Sequence, residues 1–127
     1  MNISKPYDLV IFDFDGVIVN SNLMKEKSLF SALIHFGSKR KDAKNSLIFN
    51  RGKNRKVHYD YCKIKIDFSL FNNYYEALVK KIYSSCDYYE DFIFLKKSFN
   101  CSFAIISSGD ISEIKNFLNI KKLSTYF

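Results

Sequence analysis

The chain has 127 residues, of which 47% are hydrophobic and 26% are charged, a composition that suits a compact folded protein and excludes a disordered chain. No stretch approaches the roughly 20 apolar residues of a membrane helix, and residues 1–6 lack the apolar stretch of a signal peptide. The three cysteines, Cys62, Cys86 and Cys101, form no CxxC pair, so we expect neither a zinc site nor a disulfide framework. We therefore expect a cytoplasmic protein with no membrane partner.

Positive charge is concentrated in the middle of the chain. Residues 20–85 contain 14 basic and 5 acidic residues, a net charge of +9, and the remaining residues carry −2. A basic region of this kind attracts either nucleic acid or a small phosphorylated substrate, and an ordinary lysine-rich surface explains it equally well. We rank nucleic acid last, because no nucleic-acid-binding motif accompanies the charge.

Two short apolar runs are followed directly by polar residues. Residues 9–12 lead into Asp13, and residues 103–106 lead into Ser107. Such uninterrupted runs are typical of parallel strands that are covered on both faces. Both polar ends then lie at the carboxyl edge of the sheet, where open α/β folds place their sites.

A long helical region separates these two runs. Its first predicted helix starts with Ser21 as a cap, stops at Gly37 and buries Leu23, Phe30, Leu33 and Ile34. Further helical faces are formed by Ala43 with Leu47, by Val57, Tyr61 and Ile64, by Tyr74, Tyr75, Leu78, Val79 and Ile82, and by Phe92, Leu95 and Phe99. After the second run, Asp110 and Glu113 have capping-box spacing ahead of Ile114, Phe117 and Leu118. The fold class is therefore α/β, with a discontinuous core of residues 1–19 and 86–127 and a helical insertion of residues 20–85.

The carboxylate pair Asp13 and Asp15 carries the most informative chemistry. Two carboxylates this close cannot be buried unpaired, so we expect them to share a polar site just past a strand, where Gly16 permits a tight turn. Carboxylate oxygens suit a divalent cation such as Mg²⁺. A carboxylate can also attack phosphorus to form an aspartyl-phosphate, with a second carboxylate as general acid and base.

Residues 10–21 (VIFDFDGVIVNS) resemble the first motif of the haloacid dehalogenase superfamily, in its phosphatase and phosphomutase branch with an inserted α-helical cap. Residues 103–109 (FAIISSG) resemble the second motif, an apolar strand that ends in Ser or Thr. The resemblance implies a Rossmann-like parallel-sheet core, incomplete in this chain, and an Mg²⁺-dependent phosphatase acting on a small phosphorylated metabolite. Within this branch the sequence resembles the phosphoglycolate phosphatases.

The resemblance also implies roles for individual residues. Asp13 matches the nucleophile and Asp15 the general acid and base, whose presence argues against a dehalogenase. The Asp13 carboxylate and the Asp15 backbone carbonyl match two magnesium ligands. Ser107 matches the hydroxyl that holds the transferred phosphoryl group, and we assign Phe14 and Ser108 to phosphate binding as well.

A basic segment, residues 51–56, is the candidate for the cap loop that reads the substrate in related enzymes. Four of its six residues are basic, and Arg55 is the best single candidate for binding a substrate phosphate or carboxylate. A solvated turn between helices explains the same segment. We expect His35 and His58 to be structural or surface residues, because neither has a partner at metal-ligand spacing.

Two parts of the family pattern have no counterpart in this sequence: the lysine of a third motif and the acidic residues of a fourth. Without them the protein supplies Mg²⁺ with fewer ligands, and two strands leave edges and apolar faces uncovered. We therefore expect a truncated gene product or a fragment of a longer chain. A phosphomutase and a non-catalytic remnant remain the alternatives to a phosphatase, and the sequence leaves the substrate and the oligomeric state open.

Overall fold

The computed structural model describes residues 7–127. In chain order these form the strand β1 (Leu9–Asp13), the helices α1 (Asn22–His35), α2 (Arg40–Phe49), α3 (Arg55–Tyr61), α4 (Phe68–Tyr83) and α5 (Asp91–Ser98), the strand β2 (Ser102–Ile106), the helix α6 (Ile111–Ile120) and a final 3₁₀ turn (Ser124–Tyr126). The protein is thus an α/β protein with a small parallel sheet, as the sequence predicts.

The chain forms two compact units. The α/β unit contains the residues up to Asn22 together with Tyr83–Phe127, and the helical unit contains Leu23–Ile82. The sequence pattern predicted divisions after residues 19 and 85, and the role of the helical unit as a cap stays a prediction. No helix within residues 7–127 combines the length and the apolar character needed to cross a bilayer.

The sheet of the α/β unit has one exposed face. The strands pair in parallel, with Leu9 opposite Ser102 and Asp13 opposite Ile106, and alternate residues point to opposite faces. On one face, Leu9, Ile11 and Ile106 are 48%, 51% and 64% exposed. Within the described residues these three side chains stay about half exposed or more, which agrees with the expectation that two strands alone leave an apolar face uncovered, although the apolar runs themselves are typical of strands covered on both faces.

Aromatic side chains cover the other face of the sheet. The Phe12 ring makes edge contacts with Phe103, Phe92 and Phe127, with ring centroids 4.9, 6.4 and 6.4 Å away. Phe92 and Phe103 are buried, so this cluster joins both strands to α5 and to the end of the chain. Within residues 7–127 the strands therefore obtain most of their hydrophobic stabilisation from this face.

The links between the two units run side by side within the α/β unit. The backbone N–H of Asn20 donates to the Asp87 carbonyl at 2.8 Å, and the N–H of Tyr89 donates to the Ile18 carbonyl at 2.8 Å. Val19 and Tyr88 form an isolated antiparallel bridge between these bonds. The chain therefore leaves and re-enters the α/β unit at neighbouring positions.

The first helix of the helical unit ends where the sequence predicts. Gly37 adopts a φ of +99°, a left-handed conformation that glycine adopts without steric cost, and its N–H bonds to the Ile34 carbonyl. Leu33 is buried, but Leu23 is 59% exposed, so the predicted burial of Leu23 is wrong. Leu23 lies in the first turn of α1, at the margin of the apolar face.

The remaining predicted helices are present, but the residues that they bury differ in part from those predicted. The buried residues of α4 follow an i, i+4 spacing: Phe71, Tyr75, Val79 and Tyr83. Ile64 is buried, but it lies beyond the end of α3, because the helix stops at Tyr61 and Lys63 takes a left-handed φ of +53°. In α6, Asp110 caps the helix as predicted by accepting from the Ser112 N–H at 2.7 Å.

Candidate active site

The strand register brings the two predicted motifs to one edge of the sheet. Asp13 is the last residue of β1 and pairs with Ile106, the last residue of β2. Ser107 therefore begins the loop beside Asp13, because neighbouring strands lie only about 4.8 Å apart. The α/β unit thus places the predicted nucleophile and the predicted phosphoryl-holding hydroxyl next to each other.

The Asp13 side chain is exposed at this edge. Its Oδ1 accepts a hydrogen bond from the Phe14 N–H at 2.7 Å. Within residues 7–127 its other oxygen has neither a hydrogen-bond donor nor an ion-pair partner. One carboxylate oxygen is therefore oriented by the backbone, and the second is available to a ligand.

The turn after β1 is organised around Phe14. The Phe14 carbonyl accepts from the backbone N–H groups of Ile18 at 2.9 Å and Val19 at 3.1 Å, and its ring is fully buried against Phe117. Gly16 has a φ of +78°, and a Cβ there would collide with the Asn22 side chain. The predicted tight turn is confirmed, whereas the assignment of Phe14 to phosphate binding stays a prediction.

Two hydroxyl groups hold the Asp15 carboxylate. Its Oδ1 accepts from the Ser21 hydroxyl at 2.6 Å and from the Tyr83 hydroxyl at 2.7 Å. Ser21 is fully buried and directly precedes α1, the position predicted for its cap, and its hydroxyl proton is given to Asp15. Tyr83 is buried as well and packs its ring on Phe14, with centroids 5.8 Å apart. These bonds orient the candidate acid and base.

Tyr83 is a site residue that no sequence motif indicated. Tyr83 lies 68 residues from Asp15 in the chain. It continues the apolar spacing of α4, and this spacing predicts a buried structural residue. A tyrosine in a buried stripe needs a partner for its hydroxyl, and this requirement was the available signal. The identity of that partner follows only from the fold.

The loop after β2 contains the other predicted phosphate ligands. The Ser107 hydroxyl is half-buried and accepts from the Gly109 N–H at 3.0 Å, whereas Ser108 is exposed. This hydrogen bond between residues two positions apart orients the Ser107 hydroxyl at the end of the strand. The roles of Ser107 and Ser108 in holding a phosphoryl group stay predictions.

The oxygen atoms at this edge are ligands of the kind that Mg²⁺ prefers, but only a few of them are available. Asp13 offers one carboxylate oxygen, whereas the Asp15 carboxylate already accepts from two hydroxyls. Within residues 7–127 no cluster of three or more His, Cys, Asp or Glu could hold a metal ion. The described residues therefore fit Mg²⁺ only as a partial, oxygen-based site completed by water or substrate, which that ion tolerates.

The basic segment lies inside the helical unit: residues 51–54 form the turn between α2 and α3, and Arg55 and Lys56 begin α3. Arg55 does not extend into solvent: its Nη1 donates to Asn72 Oδ1 and Glu76 Oε1, both at 2.5 Å, and its guanidinium lies 4.0 Å from the Tyr75 ring centroid. Lys56 pairs with Asp60 at 3.2 Å. Arg55 is therefore engaged between α3 and α4, and its predicted contact with substrate stays a prediction.

A cavity of about 520 Å³ opens beside this turn within the helical unit. The Lys53 ammonium, which lines it, has no ion pair or hydrogen bond within the described part of the chain. The cavity combines basic and aromatic groups, and it is lined by Leu29, Lys53, Asn54, Arg55, Lys56, Phe68 and Tyr75. This lining suits an anion that carries an apolar portion.

The fold and the strand-end carboxylates define an α/β protein with a candidate site for carboxylate chemistry at a parallel-sheet edge. A family model described as haloacid dehalogenase-like hydrolase matches residues 10–127. The chain therefore belongs to the haloacid dehalogenase-like hydrolase family. A search of curated proteins finds no match.

Solved structures with the same fold cover 95% of this chain. They include a provisionally assigned beta-phosphoglucomutase from Thermotoga maritima (19% identity, TM-score 0.66), a haloacid dehalogenase-like protein of unknown function from Agrobacterium tumefaciens (21%, 0.73) and a provisionally assigned phosphoglycolate phosphatase from Lactobacillus plantarum (16%, 0.68). The match spans 59%, 56% and 59% of those chains, respectively. At these identities the likeness establishes the fold.

Proposed function

We propose that this protein is a phosphoric monoester hydrolase that acts on a small phosphorylated metabolite through an aspartyl-phosphate on Asp13. The observation that carries the proposal is the parallel register, in which Asp13 pairs with Ile106 and Ser107 begins the adjacent loop. A nucleophile and a hydroxyl donor for the phosphoryl oxygens are thereby juxtaposed at one sheet edge. Family membership supports the same class of reaction.

In the first step, an Asp13 carboxylate oxygen forms a bond to phosphorus while the bond from phosphorus to the ester oxygen breaks. Protonated Asp15 donates its proton to the departing oxygen, which leaves as an alcohol. In the second step, Asp15 takes a proton from water, whose oxygen attacks phosphorus and displaces the Asp13 carboxylate. Inorganic phosphate leaves, and both carboxylates return to their starting states.

The contacts of each residue suit its proposed role. The Phe14 N–H fixes one oxygen of Asp13 and leaves the other available for the attack. The hydroxyls of Ser21 and Tyr83 donate hydrogen bonds to the Asp15 carboxylate and orient it beside the turn. A bound substrate oxygen would compete with them for this carboxylate. Ser107 would donate its hydroxyl proton to a phosphoryl oxygen.

The proposed cofactor is Mg²⁺. The Asp13 carboxylate and the Asp15 backbone carbonyl are the residues that would hold the ion, with water or substrate as the remaining ligands. When bound, the ion would offset negative charge between the carboxylate and the phosphoryl group.

The basic segment of the helical unit, residues 51–56, is proposed to bind an anionic group. Arg55 remains the residue assigned from the sequence, but its Nη1 is already shared by Asn72 and Glu76. Lys53 lines the same cavity without an ion-pair partner in residues 7–127, so it is the cation most available to a second anionic group.

The test is a screen for phosphate release over sugar phosphates, phosphoglycolate and nucleotides, with and without Mg²⁺. The wild-type chain is compared with Asp13→Asn and with the matched control Asp91→Asn, an exposed carboxylate in the first turn of α5. We expect Asp13→Asn to lower the rate by at least about 10³-fold, since the amide is not a nucleophile, and Asp91→Asn to retain it. Thermal unfolding of the Asp13 variant should match that of the wild type.

Each outcome decides between the candidate functions. Phosphate release that is lost only in Asp13→Asn supports the phosphatase. Release that survives in Asp13→Asn overturns the nucleophile assignment. An isomeric product with no free phosphate identifies a phosphomutase, and a folded wild-type chain that turns over no substrate is a non-catalytic member of the family.

A further inference from the structure

The Asp15 carboxylate is anchored through one of its two oxygens. Its Oδ1 accepts a hydrogen bond from the Ser21 hydroxyl at 2.6 Å and another from the Tyr83 hydroxyl at 2.7 Å. Distances of this kind are typical of strong hydrogen bonds between a hydroxyl and a charged oxygen. A carboxylate oxygen has two lone pairs, so these two donors saturate Oδ1.

The backbone that carries this side chain is fixed separately by the turn after β1. Asp15 and Val19 form an isolated bridge, and the Gly16 N–H donates to the Val19 carbonyl at 2.8 Å. With the backbone held, the remaining freedom of Asp15 is rotation about its side-chain bonds. The two hydroxyls on Oδ1 restrict that rotation, and they thereby set the direction of the whole carboxyl group.

Tyr83 is the more rigid of the two donors. A serine hydroxyl turns to another acceptor by rotation about a single bond. The Tyr83 oxygen moves only with its ring, which is buried and packs on Phe14 with centroids 5.8 Å apart. Ser21 directly precedes α1 and Tyr83 ends α4, so two separate segments of the chain meet at this oxygen.

We propose that Tyr83 is a positioning residue for the hydrolase: its hydroxyl, together with that of Ser21, anchors Oδ1 of Asp15, and Oδ2 is the oxygen that gives and takes the proton. This role rests on the proposed function, in which Asp15 serves as the acid and the base. It specifies which oxygen of Asp15 reacts and which side chain holds the other.

The same pair of hydrogen bonds serves both steps of the reaction. In the first step the proton on Oδ2 passes to the ester oxygen as the bond from that oxygen to phosphorus breaks. In the second step Oδ2 takes a proton from the attacking water. Oδ1 accepts hydrogen bonds both in the neutral acid and in the carboxylate, so neither Tyr83 nor Ser21 has to turn between the steps.

The experiment compares first-turnover rates for substrates whose leaving groups differ in their need for an acid. Tyr83→Phe removes the hydroxyl and keeps the ring that packs on Phe14. For the most active alkyl phosphate of the screen above, we expect the rate to fall about 10- to 100-fold, because a misplaced acid loses much of its contribution. For 4-nitrophenyl phosphate, whose leaving group departs without a proton, the first turnover should fall less than about threefold.

A purely structural role for Tyr83 predicts a different pattern. A distorted site would slow both substrates to the same extent, because Asp13 attacks phosphorus in both. Tyr89→Phe is the matched control, since it removes the same group from a tyrosine whose hydroxyl donates to Asn20 Oδ1 at 3.0 Å. Both rates should be retained in this control.

A second measurement uses no substrate. Urea unfolding is compared for the wild type, Tyr83→Phe, Asp15→Ala and the double variant, which together form a double-mutant cycle. We expect the two changes to be coupled by at least about tenfold in the unfolding equilibrium constant, the effect of a hydrogen bond to a charged group. This coupling reports the contact between the hydroxyl and the carboxylate whether or not the chain turns over.

Equal losses with the two substrates overturn the positioning role, and so do an unchanged rate in Tyr83→Phe and a cycle without coupling. If Tyr83→Phe does not fold, Ser21→Ala takes its place, because it removes the other donor from the same oxygen. Equal losses in that variant then refute the assignment of Oδ2. A wild-type chain that releases no phosphate refutes the proposed hydrolase instead, and the Tyr83 and Asp15 cycle still decides whether the hydroxyl holds the carboxylate.

Discussion

The two units build their polar sites in different ways. In the α/β unit the site comes largely from one continuous strand and turn, residues 9–19, and its key carboxylate Asp13 is exposed with one bond to its neighbour. In the helical unit the basic turn is supported from within, by contacts between separate helices such as Ser46 with His58. The first site can be predicted from a local sequence motif, whereas the second depends on how separate helices pack against each other.

Charge separates the two units as well. All of the net positive charge lies between residues 20 and 85, whereas the residues outside carry −2. Within the basic region, Arg55 and Lys56 are neutralised by Glu76 and Asp60. Net charge therefore overstates the positive charge available to a ligand, and among the three cations that line the cavity only Lys53 lacks an ion-pair partner within residues 7–127.

The largest effect that tests this comparison is expected at Phe14, which anchors the local motif. Its ring is fully buried against Phe117 and Tyr83, so Phe14→Ala should lower the free energy of unfolding by about 3–5 kcal/mol. Phe94→Ala is the control, because Phe94 is 72% exposed, and it should change stability by less than about 0.5 kcal/mol. Urea denaturation measures both, and equal effects would refute the assigned core.

An intermediate effect is expected from two glycines that share a backbone conformation and differ in surroundings. Gly16 and Gly52 have φ values of +78° and +79°, but a Cβ at Gly16 would meet the Asn22 side chain, whereas Gly52 faces open space. Gly52→Ala should cost about 1 kcal/mol from backbone strain alone, and Gly16→Ala about 2–3 kcal/mol. Thermal unfolding that ranks them in the opposite order would contradict the described turn.

The smallest effect is expected at Arg55, which separates a structural from a ligand-binding cation. Arg55→Ala removes bonds to Asn72 and Glu76 and the stack on Tyr75, and should lower stability by about 1 kcal/mol. Lys53→Ala, at a cation with no partner in residues 7–127, should leave stability unchanged. Chemical denaturation of both variants provides the measurement, and a destabilised Lys53→Ala with an unaffected Arg55→Ala would reverse the assignment.

Predictions from the sequence were most accurate for features that are determined by consecutive residues. The two strands, the tight turn at Gly16, the stop at Gly37 and the Asp110 cap follow from local pattern, and the structure confirms them. The predictions failed where burial depends on distant elements, as at Leu23, which was expected in the core and is 59% exposed. Periodicity shows that a face is apolar, but not whether anything covers it.

The site divides in the same way. The sequence alone determined the carboxylate pair Asp13 and Asp15, their position after a strand and the basic segment, because short-range sterics and strand patterning act within a few residues of each other. Only the tertiary structure decided that Tyr83 holds Asp15, that Arg55 joins α3 to α4 and that His58 bonds to Ser46. Hydrogen bonds of this kind join residues many positions apart, and their partners are selected by packing, which no local pattern encodes.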